Sequence, residues 1–149
     1  MENAITDLLD AIIPNLEKLL GNIRSWMGVA MIIGPVIFIV MGLVYYFLAP
    51  PEANHKLGYR TYFGMGSVTA WKYTQKLAGI VWGGLGIVLA IVAIIGCVIM
   101  VGQELSSATS TALTILIIEA VAAVVAFLAV EIIVLMRYDV NGSLRKKQK

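Results

Sequence analysis

Three stretches of this chain run for more than twenty residues with almost no charge, and its polar residues gather between and beyond them. The first, residues 27–49 (MGVAMIIGPVIFIVMGLVYYFLA), is 23 residues long. At about 1.5 Å per residue a helix over it reaches about 34 Å, enough to cross a hydrocarbon core of about 30 Å. The second covers 77–101 (LAGIVWGGLGIVLAIVAIIGCVIMV) and the third 112–136 (ALTILIIEAVAAVVAFLAVEIIVLM). In lipid the backbone must satisfy its own hydrogen bonds, so all three are read as helices.

The segment before them has a different pattern. Ile5, Leu8, Leu9, Ile12, Leu16, Leu19, Leu20 and Ile23 recur at helical spacing, with acids and Lys18 on the opposite face. Asn3 can cap this helix, and Pro14 is expected to kink or restart it. Residues 1–26 therefore read as an amphipathic helix lying on the outer leaflet, or as an interface for a partner or a second copy. Small residues four apart (Ala30 and Gly34, Gly79 and Gly83, Ala122 and Ala126) favour close helix contacts, within the chain or between copies.

Composition agrees with this pattern. The chain has 149 residues, 60% hydrophobic and only 13% charged, with a mean hydropathy of +0.89. A soluble domain is about half apolar and about a quarter charged. The expected fold is all-α and integral to the membrane: three transmembrane helices in one domain (27–136) plus the N-terminal interfacial helix. The single cysteine, Cys97, excludes an internal disulfide.

Charge placement orients the bundle. The 50–76 connector (Lys56, Arg60, Lys72, Lys76) and the 137–149 tail (Arg137, Arg145, Lys146, Lys147, Lys149) hold nine of the eleven basic residues; Lys18 and Arg24 are the other two. The positive-inside rule then puts the connector and the C-terminus in the cytoplasm and the N-terminus outside. The N-terminus lacks a basic n-region, so the first span reads as retained.

The connector carries more than a turn needs. It ends KLGYRTYFGMGSVTAWKYTQK, residues 56–76. Ser67 is placed to N-cap a helix that continues through Trp71 into the second span. Trp71 and Tyr73 are expected at the headgroups as aromatic anchors, and Lys72 and Lys76, one turn apart, to meet anionic lipid. Gly58, Gly64 and Gly66 suit turns that other residues resist.

This stretch resembles the signature of the SdpI family of small bacterial membrane proteins. Gly58-Tyr59-Arg60-Thr61 is followed by Trp71 ten residues after the Thr, with Ser67 in the spacer and Gln75 in the later polar place. MRYDVNGSL, containing Asp139, Asn141 and Gly142, is similar to the family's Asp-x-Asn-Gly ending. Gly64 departs from the family, whose members usually carry Ser there, and so does the amphipathic N-terminus, which short members lack. The resemblance implies a non-catalytic protein of the bacterial cytoplasmic membrane, giving immunity to, or sensing, a secreted toxic peptide. A peptide on the outer face and a cytoplasmic regulator are the partners it implies, beside the bilayer and a second copy of the chain.

The third span holds two carboxylates, Glu119 and Glu131. A charge at mid-membrane costs about 2.5–3.5 kcal/mol on insertion scales, so each needs a partner or a function. Glu131 and Arg60 fall on one side of the membrane, and an ion pair between them is expected. Glu119 and Glu131 are twelve residues apart, about 18 Å along a helix, and cannot share a proton. Glu119 reads either as a hydrogen-bonded packing residue or as a proton or cation site. The latter would suit an oligomeric proton-coupled transporter; an accessory subunit of a larger complex is a further alternative. No metal-ligand motif, phosphate loop or nucleophile elbow is present, so neither catalysis nor a cofactor or metal is expected. His55 reads as solvated, and the basic LRKKQK tail as an inner-leaflet contact with no nucleic-acid role.

Overall fold

The computed structural model describes residues 2–53 and 56–145, residues 2–20 by backbone alone. His55 and the tail lysines Lys146, Lys147 and Lys149 lie outside the described residues. Helix α1 spans Glu2–Leu43 and passes into a π-helical turn, Val44–Leu48; α2 spans Val68–Met100 and α3 Leu105–Arg137. Among the described residues three segments are long and apolar enough to cross a membrane: Gly21–Leu48, Val68–Met100 and Leu105–Arg137. The chain is an all-helical, multi-pass membrane protein.

The amphipathic segment runs straight into the first span as one helix, and the restart expected at Pro14 does not occur. A proline ring removes one i→i−4 hydrogen bond, and the favourable residues on either side carry the helix past that loss. At the other end of this span Ala49 turns extended, as a residue before proline prefers, and Pro50–Pro51 finishes the helix.

Helix α2 starts at Val68, nine residues before its apolar run, because Ser67 caps it: the Ser67 Oγ accepts the Ala70 N–H at 3.1 Å. Helix α3 likewise starts at Leu105, before the apolar run at 112. Its early threonine hydroxyls bond to the helix itself, Thr109 donating to the Leu105 carbonyl at 2.8 Å and Thr114 to that of Ser110 at 2.8 Å. This earlier start puts Glu119 near the middle of α3.

Glycines set the α1–α2 approach. A Cβ on Gly42 would strike the backbone of Gly83, and one on Gly86 would strike that of Pro35 and Ile39. The Gly79–Gly83 pair therefore serves packing within the chain, whereas Gly84 faces open space. In lipid, where apolar burial gives no drive for helices to associate, this backbone approach supplies the van der Waals contact. One apolar cluster sits at the end carrying the 50–67 connector (Trp82, Val130, Val134, Tyr138) and a second toward the 101–104 turn (Met31, Ala93, Met100, Ile115). Arg24 of α1 donates to the Gln103 carbonyl, tying α1 to that turn.

Candidate functional site

The first turns of α2 present Trp71, Thr74, Gln75 and Ala78 on one face, all buried. The connector folds down onto this face. Tyr59 N–H donates to Gln75 Oε1 at 2.7 Å, and Gln75 Nε2 donates to the Tyr59 carbonyl at 2.6 Å. One buried amide thus closes both backbone groups of a single connector residue, as a β-partner would. Trp71 Nε1–H donates to the Pro50 carbonyl at 2.7 Å. Gly58 has φ +122°, and a Cβ there would lie 2.6 Å from the Trp71 ring. Glycine is needed at 58 for both its conformation and its closeness to the indole.

Trp71 is not the lipid-facing anchor expected of it. It is fully buried, because the connector covers its ring and takes its N–H. Tyr73 is half-buried; its ring lies under the Arg137 guanidinium, 4.2 Å from the centroid, and beside Tyr138. Lys72 and Lys76 are exposed and line a cleft of about 370 Å³ with Tyr45, Tyr46 and Tyr73.

The C-terminal motif closes the assembly. Asp139 Oδ1 accepts the N–H groups of Asn141 (3.0 Å) and Ser143 (2.8 Å), making a tight turn in which Gly142 has φ +69°. Ser67 Oγ donates to the Gly142 carbonyl at 2.7 Å. The two motifs, 75 residues apart in the chain, are therefore in contact through the residue that caps α2. Gly64 sits in a closed position: a Cβ would lie 2.5 Å from both Thr61 Oγ1 and Thr74 Oγ1. A serine here would need those two threonines to shift.

The expected Arg60–Glu131 ion pair is absent. Arg60 is exposed and makes no ion pair among the described residues, and Glu131 is half-buried. Sidedness is the reason. Burial alternates along the connector here: Tyr59 and Thr61 are buried, Arg60 and Tyr62 exposed. The inward place belongs to Tyr59, whose ring meets Tyr45 at 5.6 Å and Phe127 at 6.2 Å between centroids. Burial, then the Glu131 carboxylate and Tyr45, push the Tyr59 phenol above its ordinary range. Its hydroxyl and Trp82 Nε1 are both buried without a hydrogen-bond partner.

Glu119 stands apart, near the middle of α3 and pressed against Gly34 of α1. It is 5% exposed, and its Oε1 has no hydrogen-bond partner.

Reading the sequence alone missed Gln75's part in fastening Tyr59, Trp71's bond to Pro50 and the contact between the two motifs. The signal for the first was available: Trp71, Thr74, Gln75 and Ala78 fall at i, i+3, i+4 and i+7, so a glutamine shares the buried stripe with three residues suited to it.

Fold and site together define a small three-span α-helical membrane protein with a fastened polar connector at one end. The SdpI/YfhL protein family profile matches residues 51–131, more than half of the chain. The chain belongs to the SdpI/YfhL protein family. The match takes in the whole 58–76 signature, while the Asp139–Gly142 turn lies beyond it and packs against it. No curated protein and no solved structure matches.

Proposed function

We propose that this protein gives a bacterium immunity to a secreted toxic peptide, or senses one, without catalysis. It sits in the cytoplasmic membrane with its N-terminus outside and its connector and C-terminus inside. The observation that carries the reading is the fastened connector. Gln75 fastens Tyr59, Trp71 fastens Pro50 and Ser67 ties the end of the connector to Gly142, an arrangement that leaves Arg60 and Tyr62 outward. A connector serving only to join two helices needs no such fixing, whereas a surface read by a cytoplasmic regulator does. Family membership supports the same reading. The peptide meets the outer side, where α1 and the 101–104 turn lie, and Lys72 and Lys76 rest on anionic lipid at the inner side.

The test is survival of a sensitive bacterial host exposed to secreted membrane-active peptides, with membrane levels matched. Wild type, Arg60→Ala, Glu119→Gln and a deletion of residues 2–24 are compared. Protection by wild type that is lost in Arg60→Ala supports the reading and assigns the connector to it. Absence of protection from wild type at full expression refutes it and turns attention to proton flux in liposomes.

A further inference from the structure

Pro35 lies inside α1 and is fully buried. Having no amide hydrogen, it leaves the Met31 carbonyl, four residues earlier, without its helical donor. Proline is tolerated in membrane helices where a neighbouring helix, a side chain or an ordered water satisfies the freed carbonyl. Gly34 bares the backbone at this point, and Glu119 of α3 fills the gap. Its Oε2 lies 2.6 Å from the place a Cβ on residue 34 would occupy. A Ser or Thr hydroxyl carried on such a Cβ is the group that reaches the carbonyls three and four residues earlier, here Met31 and Ala30. Glu119 thus brings an oxygen from another helix against the α1 backbone on the side from which such a hydroxyl would reach.

An ionised carboxylate is badly matched to this place, because the backbone nearby offers an acceptor. Among the described residues no counter-charge compensates. On α1 the cation Arg24 is ten residues, about 15 Å, away along the helix. Among the described residues α2 carries Lys72, Tyr73, Lys76 and Cys97, and α3 carries Glu131 and, eighteen residues or about 27 Å along the helix, Arg137; none of these forms an ion pair with Glu119.

We propose that Glu119 is a membrane-embedded proton-binding site, whose neutral carboxyl donates a hydrogen bond to the Met31 carbonyl freed by Pro35 and so joins α1 to α3. Such a carboxyl is also a modification site for apolar carbodiimides. Its O–H adds across one C=N bond: the oxygen bonds the central carbon, the proton passes to nitrogen, and the O-acylisourea rearranges to an N-acylurea. No atom leaves and no electron donor is needed. The inference is independent of the immunity reading.

Full-length protein in phospholipid vesicles is treated with dicyclohexylcarbodiimide and mapped by mass spectrometry. An adduct mapped to Glu119, with total labelling of the protein at least tenfold lower in Glu119→Gln, is the expected result. Absence of an adduct on Glu119, when a known reactive proteolipid in the same vesicles is labelled, overturns the proposal. The hydrogen bond is tested by a stability cycle. Glu119→Gln keeps a donor and should hold the thermal midpoint near wild type, while Glu119→Leu lowers it. In a Pro35→Ala background Met31 regains its helical donor, and the Glu119→Leu shift should fall to less than half. An equal shift in both backgrounds refutes the bond to Met31.

Discussion

Replacing Gln75 with leucine tests whether its amide fastens the connector. The substitution nearly keeps the side-chain volume and removes two hydrogen bonds, of 2.7 and 2.6 Å, to the backbone of Tyr59. Both sites are buried, so the Tyr59 N–H and C=O are left without partners. An unsatisfied buried group costs about 1–3 kcal/mol, and taking about 1.5 for each gives about 3 kcal/mol. That cost falls on the closed connector alone, because an open connector reaches water. Since about 1.4 kcal/mol is a factor of ten, the open population should rise about a hundredfold. Arg60, one residue beyond the fastened Tyr59, makes trypsin the reporter. When opening is fast relative to cleavage, the cutting rate follows the open population. Cleavage after Arg60 in the detergent-solubilised protein should therefore accelerate about a hundredfold in Gln75→Leu. Gln75→Glu, which keeps the acceptor for the Tyr59 N–H and loses the donor, should fall between. Cleavage of Gln75→Leu within threefold of wild type would mean that the amide does not hold the connector, and the reasoning fails.

Three further outcomes follow from the same geometry. Gly42→Ala should lower the thermal midpoint clearly, because its Cβ meets the Gly83 backbone, while Gly84→Ala, in open space, should leave it unchanged or raise it. Arg60→Ala and Glu131→Gln should be additive in stability within about 0.5 kcal/mol, as befits residues that do not pair; a larger coupling would restore the ion pair. Tyr59→Phe removes a buried hydroxyl without a partner, so it should be neutral or stabilising near neutral pH. Its advantage should grow with pH: the phenol is shifted upward in the fold, so the unfolded chain ionises first and wild type loses stability as pH rises through the ordinary tyrosine value of 10.0. A constant difference across that range would count against the shift.

How much could be read beforehand depended on the range of the interaction. The Ser67 cap was legible because capping involves residues three apart on one turn, and Ser67 does accept the Ala70 N–H. Glu119 stood out by its type alone, a carboxylate in an apolar run. The Arg60–Glu131 pair does not form, because lying at one end of the bundle does not bring two side chains into contact. Which way Arg60 points depends on how the connector is laid onto α2, set by the positive φ of Gly58 and the fastening of Tyr59. The glycine stripes had the same weakness: spacing marked a face fit for close approach, and only the packed bundle says that Gly79, Gly83 and Gly86 use it on α1.

By itself the sequence determined three membrane helices, the cap that starts the second, the family signature and an uneven distribution of basic residues. These are local properties. Each residue's transfer into lipid is settled by its own side chain, and a backbone in hydrocarbon has little choice but the helix. Tertiary structure alone decided that Gln75 holds Tyr59, that Ser67 meets Gly142 across 75 residues, that Arg60 faces outward and that Glu119 meets α1 beside Pro35. Each of these depends on how the helices rotate and cross. Lipid is as apolar as the helix faces it touches, so hydrophobicity cannot choose the rotation; close backbone approach and the pairing of a few polar groups do.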